Sequence, residues 1–171
     1  DHDMPRLLHV ASGDLERLKL ALALIFTARG VPRIYYGTEQ GYSGGEDPEN
    51  REIMTSWNQG HEIYRWIRKL CDIRNAHVAL RRGVQHEMWC DDLVYAYSRV
   101  GDGEEVIAIL NNSPDPQRRK IQLREESHIQ RGEELTNLLG ASDTVIVEPF
   151  SGKKAIEVLL KPKEAKVYAR C

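Results

Sequence analysis

Cysteine is scarce in this chain: Cys71, Cys90 and Cys171 are too few and too scattered among 171 residues for a disulfide framework, and no two stand at metal-ligand spacing. They read as free structural thiols, Cys71 on the apolar side of a predicted helix, where a thiol behaves as a small hydrophobe. A basic excess is missing too. With 24 Lys plus Arg against 26 Asp plus Glu, little is available to neutralise a phosphate backbone or hold an anionic membrane surface, which argues against nucleic acid and membrane as partners. The longest apolar run, LALALIFTA at 20–28, is about half the roughly 20 residues that a membrane span needs, and charged residues flank it. The amino terminus is acidic and has no apolar signal region. The chain also lacks an initiating Met and so reads as an excised piece, which leaves localisation open. Internal repeats and low-complexity segments are not seen.

What is present is a globular apolar share in a length that suits one domain, or a small domain with part of another. The first six residues, DHDMPR, pose a question. Two carboxylates around an imidazole are either a charged tail or the end of a strand whose body lies upstream. A metal reading of Asp1, His2 and Asp3 is the weakest, because neighbours on a strand point to opposite faces.

From Asp14 to Ala28, the spacing Leu15, Leu18, Leu22, Ile25 marks one helical face, and Leu20, Ala21 and Leu24 fill the other side. The spacing predicts a helix buried nearly all round, capped by Ser12 or Asp14 and stopped by Gly30 and Pro32. PRIYYG at 32–37 reads as a strand, and helix, tight link and strand make the αβ half of a βαβ unit. Residues 37–58 form a long Gly-, Asp-, Asn- and Ser-rich loop of the kind usually given to function. A second amphipathic helix presents Ile63, Trp66, Ile67, Leu70 and Ile73 on one stripe. Beyond residue 80 the period drops to two: LVYAYSR, EVIAILNN, RKIQLR, TVIVEPF, AIEVLL and AKVYAR read as short strands, with VGDGEE and KPKE as hairpin connections. Five to seven such strands predict an antiparallel sandwich. The division falls near Leu80 to Val84, giving 1–80 as α/β and 83–171 as all-β.

The order of these pieces, with GVPRIYYGTEQ, GYSGGEDPENRE and IRKLCDIRNAH between DHD and the β half, resembles the C-terminal third of the α-amylase superfamily of glycoside hydrolases and transglycosylases. ARGVPRIYYGTEQ and GGEDPENR look closest to cyclodextrin glucanotransferases and related bacterial α-amylases. The resemblance implies that DHD ends the seventh strand of a (β/α)₈ TIM barrel, with Asp1 where the family more often has Asn. PRIYYG becomes the eighth strand, the helices before and after it the seventh and eighth, and 83–171 the β-sandwich called domain C. The opening question is then answered. The resemblance puts His2 and Asp3 at the C-terminal mouth of the barrel, where active sites of this fold are built.

Retaining glycosidases pass through an oxocarbenium-like transition state between a nucleophilic carboxylate and an acid/base carboxylate. A third carboxylate gripping sugar hydroxyls distorts the ring and adds negative potential, a role the resemblance gives to Asp3, with His2 positioning beside it. By the same resemblance Asp47 and Arg51 contact a glucose unit further along the donor side. An internal Asp–Arg ion pair that stiffens the loop is an equal alternative for those two. Tyr35 and Tyr36 are expected in the barrel core, Trp57 as an anchor for the next helix, and Glu39 as an orienting group at the end of the eighth strand. His61, His77, His86 and His128 are expected at the surface or at helix ends.

The family's nucleophilic Asp and acid/base Glu follow the fourth and fifth strands, and the full barrel takes roughly 250 residues. The 171 residues are therefore expected not to turn over glucans alone, and a lone parallel strand is expected to favour self-association. The expected partner is an α-glucan oligosaccharide or polysaccharide. No cofactor is assigned. The family's calcium sites lie mainly at a domain inserted after the third strand, so calcium is placed on none of these residues. The alternative readings are the matching part of a cyclodextrin glucanotransferase, and a non-catalytic carbohydrate-binding or interaction module. The ending at VYARC tilts the first choice toward a plain α-amylase.

Overall fold

The computed structural model describes residues 2–55, 57–140 and 142–170. Among them, every helix precedes residue 83 and every strand follows it. The helices are α1 (Leu7–Val10), α2 (Leu15–Thr27), α3 (Glu62–Ala76) and α4 (Val78–Arg82). The Asp14 side chain accepts from the N–H groups of Glu16 and Arg17 and so caps α2, as its position predicts. His61 caps α3 by accepting from Ile63 N. His77 stands between α3 and α4, 2.5 Å from Glu104.

The strands are β1 (Val84–Cys90), β2 (Val94–Gly101), β3 (Glu104–Asn111), β4 (Gln117–Gln122), β5 (Glu134–Asn137), β6 (Thr144–Ile146), β7 (Glu148–Phe150), β8 (Lys153–Leu160) and β9 (Ala165–Ala169). They form two antiparallel sheets, ordered β1-β2-β3-β9-β5-β6 and β4-β8-β7. The VGDGEE hairpin is present, with Asp102 and Gly103 both at positive φ, as a two-residue turn of matching twist requires.

Three layers result. Val94, Ala96, Ile107 and Ile109 of the larger sheet meet Ile121, Ile156, Val158 and Leu160 of the smaller one. On the other face, Leu18, Leu22, Phe26, Ile63 and Leu70 of α2 and α3 pack on Tyr97, Ala108 and Leu110. Because β3 is covered on both faces, it reads as a continuous apolar run, not as an alternating one.

Several expectations are corrected. PRIYYG at 32–37 has no ladder partner among the described residues and is not a strand: no second strand lies within 1–83 to pair with it. His2 and Asp3 form a turn and not a strand end, and Asp1 and Cys171 lie outside the described residues. TVIVEPF splits at Val147, whose side chain is buried between the two sheets that β6 and β7 join. KPKE is a crossing from β8 in one sheet to β9 in the other, not a hairpin. The helix α2 is one-sided, with Leu24 39% exposed and Ala21 and Ile25 half-buried.

Candidate functional site

The turn at 2–4 brings neighbouring side chains together where a strand would have parted them: His2 Nε2 lies 3.1 Å from Asp3 Oδ1, both exposed. His2 also lines a cavity of about 300 Å³ with Arg33, Ile34 and Tyr35. The His2–Met4 turn therefore sits against the PRIYYG segment.

Arg6 locks that placement. It is 3% exposed, its Nη1 donates to Tyr36 O at 2.6 Å, and its Nε forms an ion pair with Glu52. Its guanidinium lies 4.7, 4.9 and 5.3 Å from the ring centres of Tyr35, Tyr36 and Tyr42. A cation so surrounded gains quadrupole attraction that partly offsets its lost hydration. Tyr35 and Tyr36, expected in the core, are instead the walls of this cage, and Tyr36 is 40% exposed. Trp57 is 69% exposed and anchors no helix, while Glu39 lies in a 3₁₀ turn at Thr38–Gln40.

The glycine-rich loop closes onto the same turn. Arg6 N donates to Gly44 O at 3.0 Å. Asn50, in the 3₁₀ turn Glu49–Arg51, is 1% exposed, and its Nδ2 donates to His2 O at 2.9 Å and Met4 O at 3.0 Å. On either side of it, Arg51 Nε and Asp47 Oδ1 stand 3.2 Å apart with both side chains at least half exposed. The i, i+4 ion pair is thus formed, and both groups remain open to solvent.

Gly44 is required by close approach. A Cβ there would lie 1.9 Å from the backbone oxygen of Glu49. Gly44→Ala is expected to push the loop off the turn and cost about 2 kcal/mol, in the range for overpacking a tight contact. Thermal unfolding checks it, and an unchanged midpoint with native Asn50 amide signals would contradict it.

No motif or spacing in the sequence marks Arg6 or Asn50 as site residues. Their acceptors are backbone carbonyls 30 to 48 residues distant, and no spacing rule reports those. The one hint is chemical: a polar amide inside EDPENR and an arginine directly before an apolar Leu7–Leu8 pair.

Residues 1–62 match the family model of the α-amylase catalytic domain. A β/α-amylase of Paenibacillus polymyxa is 43% identical over 177 residues, a match covering 99% of this chain and 14% of that protein. A cyclomaltodextrin glucanotransferase of Bacillus sp. (strain 1011) is 42% identical over 117 residues, covering 68% of this chain and 16% of that protein. Among solved structures, the Geobacillus thermoleovorans α-amylase complexed with acarbose superposes with a TM-score of 0.84 at 28% identity, over 98% of this chain and 37% of that one. That likeness supports part of a (β/α)₈ barrel in this chain. The chain belongs to the α-amylase superfamily. It spans less than a fifth of the length of these curated relatives.

Proposed function

We propose that residues 2–51 form part of the sugar-binding rim of an enzyme that hydrolyses or transfers α-1,4-glucans. In this reading Asp3 is the carboxylate that stabilises the transition state, His2 positions sugar hydroxyls beside it, and Asp47 with Arg51 binds a glucose unit further out. The nucleophile and acid/base lie on other parts of the barrel. Residues 1–80 belong to that barrel and 83–171 to the C-terminal β-sandwich, domain C.

The observation that supports this best is the joining of the His2–Met4 turn to the PRIYYG segment, through the cavity shared by His2 and Tyr35 and the bond from Arg6 to Tyr36. The turn carries an exposed carboxylate and imidazole, and the Asn50 bonds to His2 O and Met4 O join it to the loop that carries the exposed Asp47–Arg51 pair. Carboxylate, imidazole and guanidinium are the donors and acceptors that sugar hydroxyls need.

Titration of the 171-residue chain with maltotriose, followed by NMR, tests the reading. The His2 ring and the Arg51 side chain are expected to shift together, and Asp3→Asn to weaken the binding. Without the two remaining carboxylates the chain is expected to release no reducing sugar from starch. Starch turnover by the purified chain, abolished by Asp3→Ala, would sink the division of roles.

A further inference from the structure

Asn50 sits in one half of the rim and its side chain reaches into the other. Its two acceptors, His2 O and Met4 O, belong to the residues immediately before and after Asp3. It belongs to the same short turn as Arg51 and lies three residues from Asp47. From these contacts, and resting on the glucan-binding reading above, we infer that Asn50 is a positioning residue: its carboxamide fixes His2 and Asp3 relative to Asp47 and Arg51, so that one sugar chain meets both pairs in register.

The chemistry requires an amide at this position. Both facing groups are carbonyl oxygens, so only the NH₂ end can point at them, and the buried Oδ1 on the far side has no hydrogen-bond partner among the described residues. That orientation is set by the acceptors, since the reversed amide would place oxygen against two oxygens. An aspartate of the same shape would bring a carboxylate against the same carbonyls, unable to donate and repelled by both. A serine would keep one shorter donor and so could hold one side of Asp3 but not both. The loop already leans on the turn through Arg6 N to Gly44 O and through the Arg6–Glu52 ion pair. Those contacts hold residue 6, whereas the two bonds from Asn50 bracket residue 3.

The test begins on the native chain. Scalar couplings transmitted through the hydrogen bonds from the Asn50 carboxamide nitrogen to the carbonyl carbons of His2 and Met4 are expected, and their absence would overturn the inference. Residual dipolar couplings of the His2, Asp3 and Met4 amides are then compared among native chain, Asn50→Asp and Asn50→Ser. In Asn50→Asp they are expected to collapse several-fold toward zero while those of α2 stay native, with Asn50→Ser intermediate. In the maltotriose titration, the native His2 and Arg51 signals are expected to follow a single binding curve. In Asn50→Asp the two curves should separate and the affinity fall at least tenfold, with the α2 signals and the unfolding midpoint of the β half retained. Native couplings and a shared native curve in Asn50→Asp would overturn the inference. If maltotriose moves neither His2 nor Arg51 in the native chain, the glucan reading and the shared register fail together. The dipolar couplings then still show whether Asn50 holds Asp3 in place.

Discussion

Arg99→Met is expected to lower unfolding stability by about 3 kcal/mol, roughly 10 °C in midpoint for a chain of this length. Arg99 is 1% exposed in the middle of β2, on the face turned toward the helices. Its Nη1 donates to Thr27 O at 2.7 Å and its Nη2 to Gly83 O at 2.9 Å. It therefore ties the last turn of α2 and the end of α4 to the sheet. Arg74 reaches the same helix end from α3, donating to the carbonyls of Phe26, Ala28 and Gly30. The carbonyls at a helix C-terminus have no partner within the helix and carry the negative end of its dipole, so two guanidinium groups there are well matched.

Two opposing effects decide the size of that loss. Burial pulls both guanidinium pKa values downward, and for Arg99 the charge of Arg74 adds to the pull. Replacing Arg99 by an apolar side chain of similar length removes that desolvation cost. It also strands two carbonyls that are part of the backbone and cannot be exchanged for apolar groups, and each charge-assisted bond to such a group is worth about 1.5–3 kcal/mol. The stranded carbonyls outweigh the relief, which differs from a buried ion pair, where both partners can be replaced together. Urea unfolding measures the difference. A loss below about 0.5 kcal/mol would show that solvent reaches Thr27 and Gly83 without the arginine. Arg99→Lys should fall between, because one ammonium cannot span two carbonyls in a fixed fork.

These arginines also mark the boundary of what the sequence discloses. Local signals were legible because their causes are local. Asp14 caps α2 two and three residues on, the Ile63–Leu70 stripe follows the helical period, and the Asp102–Gly103 turn needs only its own dihedral angles. The strand β1, VQHEMWC, carries no clear period-two signal. Its half-buried, half-polar pattern has a bulge between Glu87 and Trp89 that breaks the alternation. The strand β5 is four residues long and gives alternation little room.

PRIYYG shows the opposite error. Its composition states a preference for extended backbone, but strand formation is a property of the pair, and the described residues of 1–83 supply no partner. In the candidate site the same division holds. Asp47 and Arg51 sit at a spacing that pairs them on any helical turn, and they do pair. The contacts that carry this pair to His2 and Asp3 run from side chains to distant backbone oxygens, and no period in the sequence encodes such contacts.

Asp91→Ala is expected to cost about 1–2 kcal/mol at neutral pH, because solvent reaches this exposed carboxylate and screens its bonds, and to remove part of the protein's acid sensitivity. Asp91 lies in the turn between β1 and β2, and its carboxylate collects four donors: Leu93 N and Val94 N at 2.8 Å, Trp89 Nε1 at 2.7 Å and Arg119 Nε at 2.8 Å. Arg119 belongs to β4, so this one group closes a turn of the larger sheet and joins it to the smaller. Burial works against ionisation, but the bonds from Arg119, Trp89 and the two backbone N–H groups outweigh it and hold the carboxyl far below the usual carboxylate range. Asp143 follows the same logic: burial opposes its charge, and bonds from Lys166, Asn137 and Tyr168 prevail and lower its pKa. A carboxyl depressed in the folded state stabilises fully above its unfolded pKa of about 4. That stabilisation is lost as pH falls through the folded value, because the unfolded chain takes up protons first. Stability should therefore decline with a steepening slope below about pH 4, and Asp91→Asn, which cannot titrate there, should flatten it while lowering the neutral plateau. A native slope in Asp91→Asn would assign the acid response to other carboxyls, Asp143 first among them. An unchanged plateau as well would mean that the Asp91 turn stays closed without its charge.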